Sequence, residues 1–212
     1  MLEMLMRDAV AKTDDLFLID WREGPGTKTT EVVSKTVFNV GGTGVITNDA
    51  TLGNCFRGNA GGGMYQSGTI YNLINFSLTN WELSIDVIPA AVNNGGIVMS
   101  RAFNGSGTGG WYFGFQPSTQ GKIEFYWVGS NGVWNALKTA NALTVDQLTT
   151  LRLKRTGTTL ELYFNDQLQS NATNVTFNNS NVVLAIGSFT DTFSSRAFNG
   201  KIGKIRFFVP KT

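Results

Sequence analysis

From Leu16 onward, apolar and polar residues alternate with a period of two, the spacing of a half-buried β-strand. In WELSIDV (81–87), Trp81, Leu83, Ile85 and Val87 fall on one face and Glu82, Ser84 and Asp86 on the other. GWYFGFQ, KIEFYWV, TTLRLKR, TLELYFN and KIGKIRFFV repeat the pattern, and LFLIDW, EVVSKTVFNV, GGIVMSR and VVLAIGS also read as strands. Between Gly41 and Gly68 only GVIT and NCFR carry a strand signal. Asn- and Gly-rich turns separate these runs at short intervals, as in an all-β sandwich or jelly roll. The first dozen residues differ. Leu2, Leu5, Met6, Ala9 and Val10 form one stripe at helical spacing, which predicts a short N-terminal helical arm over residues 1–14 ahead of a single β domain, 15–212. So short a helix needs a surface to lie on. Its own sandwich is one candidate, and a partner subunit docked through Leu2, Leu5, Met6 and Val10 is the other.

One hairpin is registered by its charges. With Gly157-Thr158 as a two-residue turn, Lys154 faces Glu161, Arg152 faces Tyr163, Leu153 faces Leu162 and Leu151 faces Phe164. A slip of one residue would break every pair at once.

Composition narrows the chemistry. The 212 residues contain no histidine, which excludes Ser-His-Asp and Cys-His nucleophiles, His-ligated zinc and imidazole acid–base work. A single Cys55 can form neither an internal disulfide nor a thiolate metal site. The formal charge of +2, without a Lys/Arg run, gives no electrostatic basis for nucleic-acid binding. Glu3, Arg7 and Asp8 interrupt any signal-peptide core, and no run of eighteen apolar residues predicts a membrane-inserted helix. The Gly-rich stretches GGTG, GNAGGG and GSGTGG lack the Lys-Ser/Thr of a phosphate loop.

Taken in order, WELSIDV, GGIVMSR, GWYFGF, GKIEFYW, LTVDQLTTLRLKRTGTTLELYFNDQLQ, LAIGS and FNGKIGKIRFF resemble a laminin-G-like domain of the concanavalin A-like lectin/glucanase superfamily, over roughly Leu78 to Val209. The resemblance implies a jelly-roll sandwich of two antiparallel sheets with the first and last strands side by side, pairing LFLIDW with KIRFFV. It departs from the family at Asn165-Asp166, where the family usually carries Asp-Gly or Asn-Gly. Compact domains of this kind, without histidine or disulfide, are similar to those on phage particles. The resemblance thus implies a non-enzymatic structural or adhesion module of a virion, as capsid decoration, tail or fibre, made in the host cytoplasm.

Glucanases of the superfamily place two Glu around an Asp on alternate positions of one strand; here those positions hold Glu82, Ser84 and Asp86. Positions four apart on a strand are ~13 Å apart at Cα, whereas retaining glycosidases need carboxyl groups roughly 5 Å apart. The shorter Asp and the missing central Asp argue against catalysis, so no catalytic residue is expected. The alternative function is recognition of a surface glycan. The outward set Tyr112, Gln116, Glu124 and Tyr126, with Arg101 and Trp134 on nearby loops, combines aromatic faces with planar polar groups suited to a pyranose. The same residues would equally cover a sheet or contact another protein subunit, self-association included. Calcium, common in the superfamily, would draw on Asp191 and the Asn93-Asn94 pair, but no dense Asp cluster supports it and no metal or other cofactor is expected.

Overall fold

The computed structural model describes residues 15–59, 61–66, 73–92, 96–101, 109–115, 121–178, 184–189 and 196–210. The arm with Leu2, Leu5, Met6 and Val10, and also Asn93, Asn94, Gln116 and Asp191, lie outside the described residues. Those described form sixteen strands and no helix.

Two antiparallel sheets face each other. Sheet 1 runs β14 (Gln167–Ala172), β13 (Thr159–Phe164), β12 (Thr149–Thr156), β7 (Asn80–Pro89) and β16 (Gly200–Phe208). The far edge of β16 pairs with β5 (Gly53–Gly58), which carries β4 (Val45–Asp49), and with β1 (Asp15–Ile19). Sheet 2 runs β11 (Trp134–Ala142), β10 (Lys122–Val128), β9 (Trp111–Phe115), β8 (Ile97–Arg101), β15 (Ala185–Ile186), β6 (Gly63–Gln66), β3 (Val37–Gly41) and β2 (Lys28–Thr30). The expected pairing of the first and last strands is present, with Phe17 opposite Phe207 and Ile19 opposite Ile205.

The hairpin register holds at all four predicted pairs. Gly157 takes φ 61°, as the first position of the turn requires. Arg152 lies 4.1 Å over the Tyr163 ring. At the next hairpin both Asn165 (φ 45°) and Asp166 (φ 65°) adopt the left-handed conformation, so Asp stands where the family prefers Gly.

The alternation buries what it predicts. Trp81, Leu83, Ile85 and Val87 are fully enclosed, as are Leu151, Leu153, Leu160 and Leu162 from sheet 1 and Trp111, Phe113 and Phe125 from sheet 2. Between the sheets sits Phe76, from the loop before β7. Its ring stacks on Trp81 at 4.3 Å and approaches Phe207 at 5.8 Å on one side, and Trp111 at 4.8 Å and Phe125 at 5.6 Å on the other. Two buried arginines fix this loop by its carbonyls: Arg101 Nη1 donates to Ile74 O at 3.1 Å and Arg155 Nη1 to Phe76 O at 2.6 Å.

The run EVVSKTVFNV is not one strand. Residues 31–36 form a turn, and only β3 continues from Val37. The buried Glu31 carboxylate accepts the amides of Leu18 (2.6 Å) and Val33 (2.9 Å) and the Ser34 hydroxyl, and Lys35 turns through φ 61°. Local hydrogen bonding to a carboxylate outcompetes the ladder that the apolar pattern suggests.

Candidate functional site

Two outer faces carry the residues singled out in the sequence. On sheet 1, β7 lies between β12 and β16, and Glu82, Ser84 and Asp86 point away from the core between the inward Trp81, Leu83, Ile85 and Val87. Each carboxylate has a local partner. Glu82 meets Arg152 Nη1 at 3.4 Å, and Asp86 Oδ1 accepts the Thr150 hydroxyl at 2.7 Å. Ser84, where a glucanase carries its central acid, stands directly between Arg152 on one flank and Arg206 on the other. Arg206 is ion-paired to Asp15 and lies 3.9 Å over the Phe208 ring. Arg152 also reaches Asp166 at 3.1 Å. An open groove of about 260 Å³ runs over this row, lined by Ser84, Asp86, Arg152, Lys204, Arg206 and Phe208.

On sheet 2, cross-strand pairing places Tyr126 opposite Tyr112, and the two rings stack at 4.7 Å with 17° between their planes. Trp134 stands opposite Val128 on the same face and leans on Tyr112 at 5.9 Å. Phe189 closes on Tyr112 edge-on at 5.2 Å, and the Arg196 guanidinium lies 5.6 Å over it. Glu124 sits opposite Gly114 and pairs with Lys138 Nζ at 2.7 Å. It is almost wholly enclosed although its face points outward. Burial first, and then the neighbouring Glu124 carboxylate, hold the Tyr126 phenol well above its ordinary pKa. Tyr112, Tyr126, Trp134 and Glu124 are therefore brought together as expected.

Arg101 is not with them. Its partner in the ladder is Trp111, an inward position, so its side chain enters the core and binds the Ile74 carbonyl. Burial lowers its guanidinium pKa to about 10. Arg101 anchors a loop; the expected loop position beside the outward set fails because β8 extends through Arg101, in phase with the inward Met99. Arg152, Lys204, Arg206 and Phe208 were not among the residues expected at a site. The alternation in KIRFF puts Lys204, Arg206 and Phe208 on one face, but only the order β12-β7-β16 brings them to Ser84.

Among the described residues no group of three or more His, Cys, Asp or Glu is arranged to hold a metal.

Residues 63–209 match the Laminin_G_3 family, described as the concanavalin A-like lectin/glucanases superfamily. The chain belongs to this superfamily. Solved structures share its fold. Domain 4 of AbnA, a GH43 extracellular arabinanase from Geobacillus stearothermophilus solved with arabinotriose, superposes with a TM-score of 0.68 at 16% identity, covering 92% of each chain. The receptor-binding domain of botulinum neurotoxin D gives 0.68 at 11% identity, over 94% of this chain and 50% of that one. The binding domain of Paraclostridial Mosquitocidal Protein 1 gives 0.66 at 11% identity, over 94% and 49%. The chain thus spans about half the length of the toxin domains it resembles. A search of curated protein sequences finds no match.

Proposed function

We propose that this superfamily member is a non-catalytic carbohydrate-binding module whose sugar surface is the outer face of β9, β10 and β11. The observation that carries the reading is the cluster of Tyr126 and Trp134 around Tyr112, with the Glu124–Lys138 ion pair on the same face. Aromatic rings beside fixed polar groups suit a ligand with one apolar side and a rim of hydroxyls. Similar folds support it: one was solved with arabinotriose, and others are named for receptor binding. On β7, Glu82 is engaged by Arg152 and Asp86 by Thr150, with a serine between them, which argues against a paired acid and nucleophile. The wider role expected from resemblance and composition, a phage-particle component, stands apart from this reading, and its docking residues Leu2, Leu5, Met6 and Val10 lie outside the described residues.

The test is a glycan array followed by calorimetry with arabinotriose and the best array ligands, repeated with Trp134→Ala. We expect binding of at least one oligosaccharide, weakened tenfold or more by the substitution at unchanged melting temperature, and no release of reducing sugar. Silence across the array, binding indifferent to Trp134→Ala, or hydrolysis abolished by Glu82→Gln would each overturn the reading.

A further inference from the structure

The groove on sheet 1 is a different surface with a different chemistry. We propose that it is a second binding site, for an acidic sugar: a saccharide residue carrying a carboxylate. The inference rests on the carbohydrate-binding reading above and adds the site and the class of ligand.

Charge decides the sign of the ligand. Three cations, Arg152, Lys204 and Arg206, line the groove against one carboxylate, Asp86. Residues directly opposite on neighbouring strands hold their Cβ atoms ~5 Å apart, so the two arginine side chains rise on either side of the small Ser84 and line the groove with it. Each guanidinium carbon lies over an aromatic ring, Arg152 over Tyr163 and Arg206 over Phe208. Their carboxylate partners, Glu82 and Asp166 for one and Asp15 for the other, are not among the residues lining the groove. A guanidinium has five N–H donors, and the buried Nε of Arg152 has no hydrogen-bond partner among the described residues. Lys204 is exposed and makes no ion pair with any described residue. A planar carboxylate over Ser84 would meet donors from both sides.

Asp86 decides between kinds of anion. Its Oδ1 takes the Thr150 hydroxyl, while its Oδ2 makes no hydrogen bond among the described residues. A bare sulfate has no hydroxyl and offers that oxygen only repulsion. A sugar acid offers it a hydroxyl while its carboxylate goes to the arginines. The groove's volume, about 260 Å³, lies just below the range of sites for drug-sized ligands and suits one ring. An acid in place of Ser84 would fill the gap between the arginines from within; serine leaves it open.

The experiment titrates the whole chain with tri-galacturonate and with its methyl ester, which keeps the shape and removes the charge, following amide shifts by NMR. We expect the acid to bind at least tenfold more tightly than the ester, with shifts centred on Ser84 and Arg206, and the difference to shrink as salt is raised. Arg206→Gln should erase the preference. Ser84→Asp should abolish acid binding while leaving the melting temperature unchanged or raised, which a folding defect would not do. Equal binding of acid and ester overturns this site and leaves the neutral-sugar surface standing. A glutamate-rich peptide or sulfate binding as tightly as the uronate overturns the saccharide assignment. No binding of acid or ester overturns this site alone, and silence across the glycan array as well overturns both readings.

Discussion

The two outer faces of the sandwich are built by the same alternation, yet they differ in what they leave open. On sheet 2 the outward rings of Tyr112, Tyr126 and Trp134 pack on one another, and Phe189 and Arg196 close over Tyr112. On sheet 1 the outward residues are charged and engage one another in pairs, Arg152 with Glu82 and Arg206 with Asp15, leaving a groove along Ser84. An aromatic face thus becomes a small second core, partly closed and held by packing. A charged face stays wet and held by weak, separable pairs. Alternation tells which residues face outward; the chemistry of those residues tells how far the face remains accessible.

Phe76→Ala should do the greatest harm, because its ring joins Trp81 and Phe207 of sheet 1 to Trp111 and Phe125 of sheet 2. A loss of about 3–5 kcal/mol is expected in urea unfolding, with both faces disordered together. A loss below ~1 kcal/mol would mean that the sheets are held independently of this ring.

The next pair of variants sets the faces against each other. Tyr112→Ala should cost about 2–3 kcal/mol, since burial and several ring contacts go together. Arg152→Ala should cost under ~1 kcal/mol, as partly exposed ion pairs do. Equal losses would erase the distinction between a packed face and a wet one.

The smallest effect is electrostatic. Lys201 pairs with Asp49, linking β16 to β4, and this hydrogen bond, followed by the amides of Leu52 and Thr51, lowers the Asp49 pKa to about 2. An ordinary Asp titrates near ~3.9. The depressed carboxyl therefore stabilises the fold fully above about pH 4 and ceases to do so as pH falls toward 2. Asp49→Asn should lower stability by less than ~1 kcal/mol near neutrality, and the difference from wild type should vanish by pH 2. A difference that persists at pH 2 would assign the effect to packing.

Much of this was legible in the residues. Strands with a full apolar face, such as β7, β12, β13 and β16, declare themselves by parity, and the Lys154–Glu161 and Arg152–Tyr163 pairs fix a register. The serial order of these strands pointed to the family, and residues 63–209 match it. β11 and β14 were invisible because they are edge strands with few buried positions. Their apolar signal is thin, and Asn141 of β11 meets Gln169 of β14 side chain to side chain where the sheets adjoin. At the sites, Tyr112, Tyr126, Glu124 and Trp134 could be grouped because β9 and β10 are sequential neighbours. Ser84, Arg152 and Arg206 could not, since their meeting depends on a strand more than a hundred residues downstream lying against β7. Arg101 was misplaced because GGIVMSR does not show where β8 ends: it is the last residue of the strand, in phase with the inward Met99, and not part of the loop beyond.

That distant strand has a consequence for how the protein is made. β16 forms the middle of sheet 1, bordered by β7, β5 and β1, all synthesised long before it. Until residue 208 has emerged from the ribosome, the earlier strands present unsatisfied edges, and loop-closure entropy delays their union even afterwards. A nascent chain stalled short of β16 should therefore be open to chaperones and proteases, with commitment to the native state coming only after β16 is free of the ribosome.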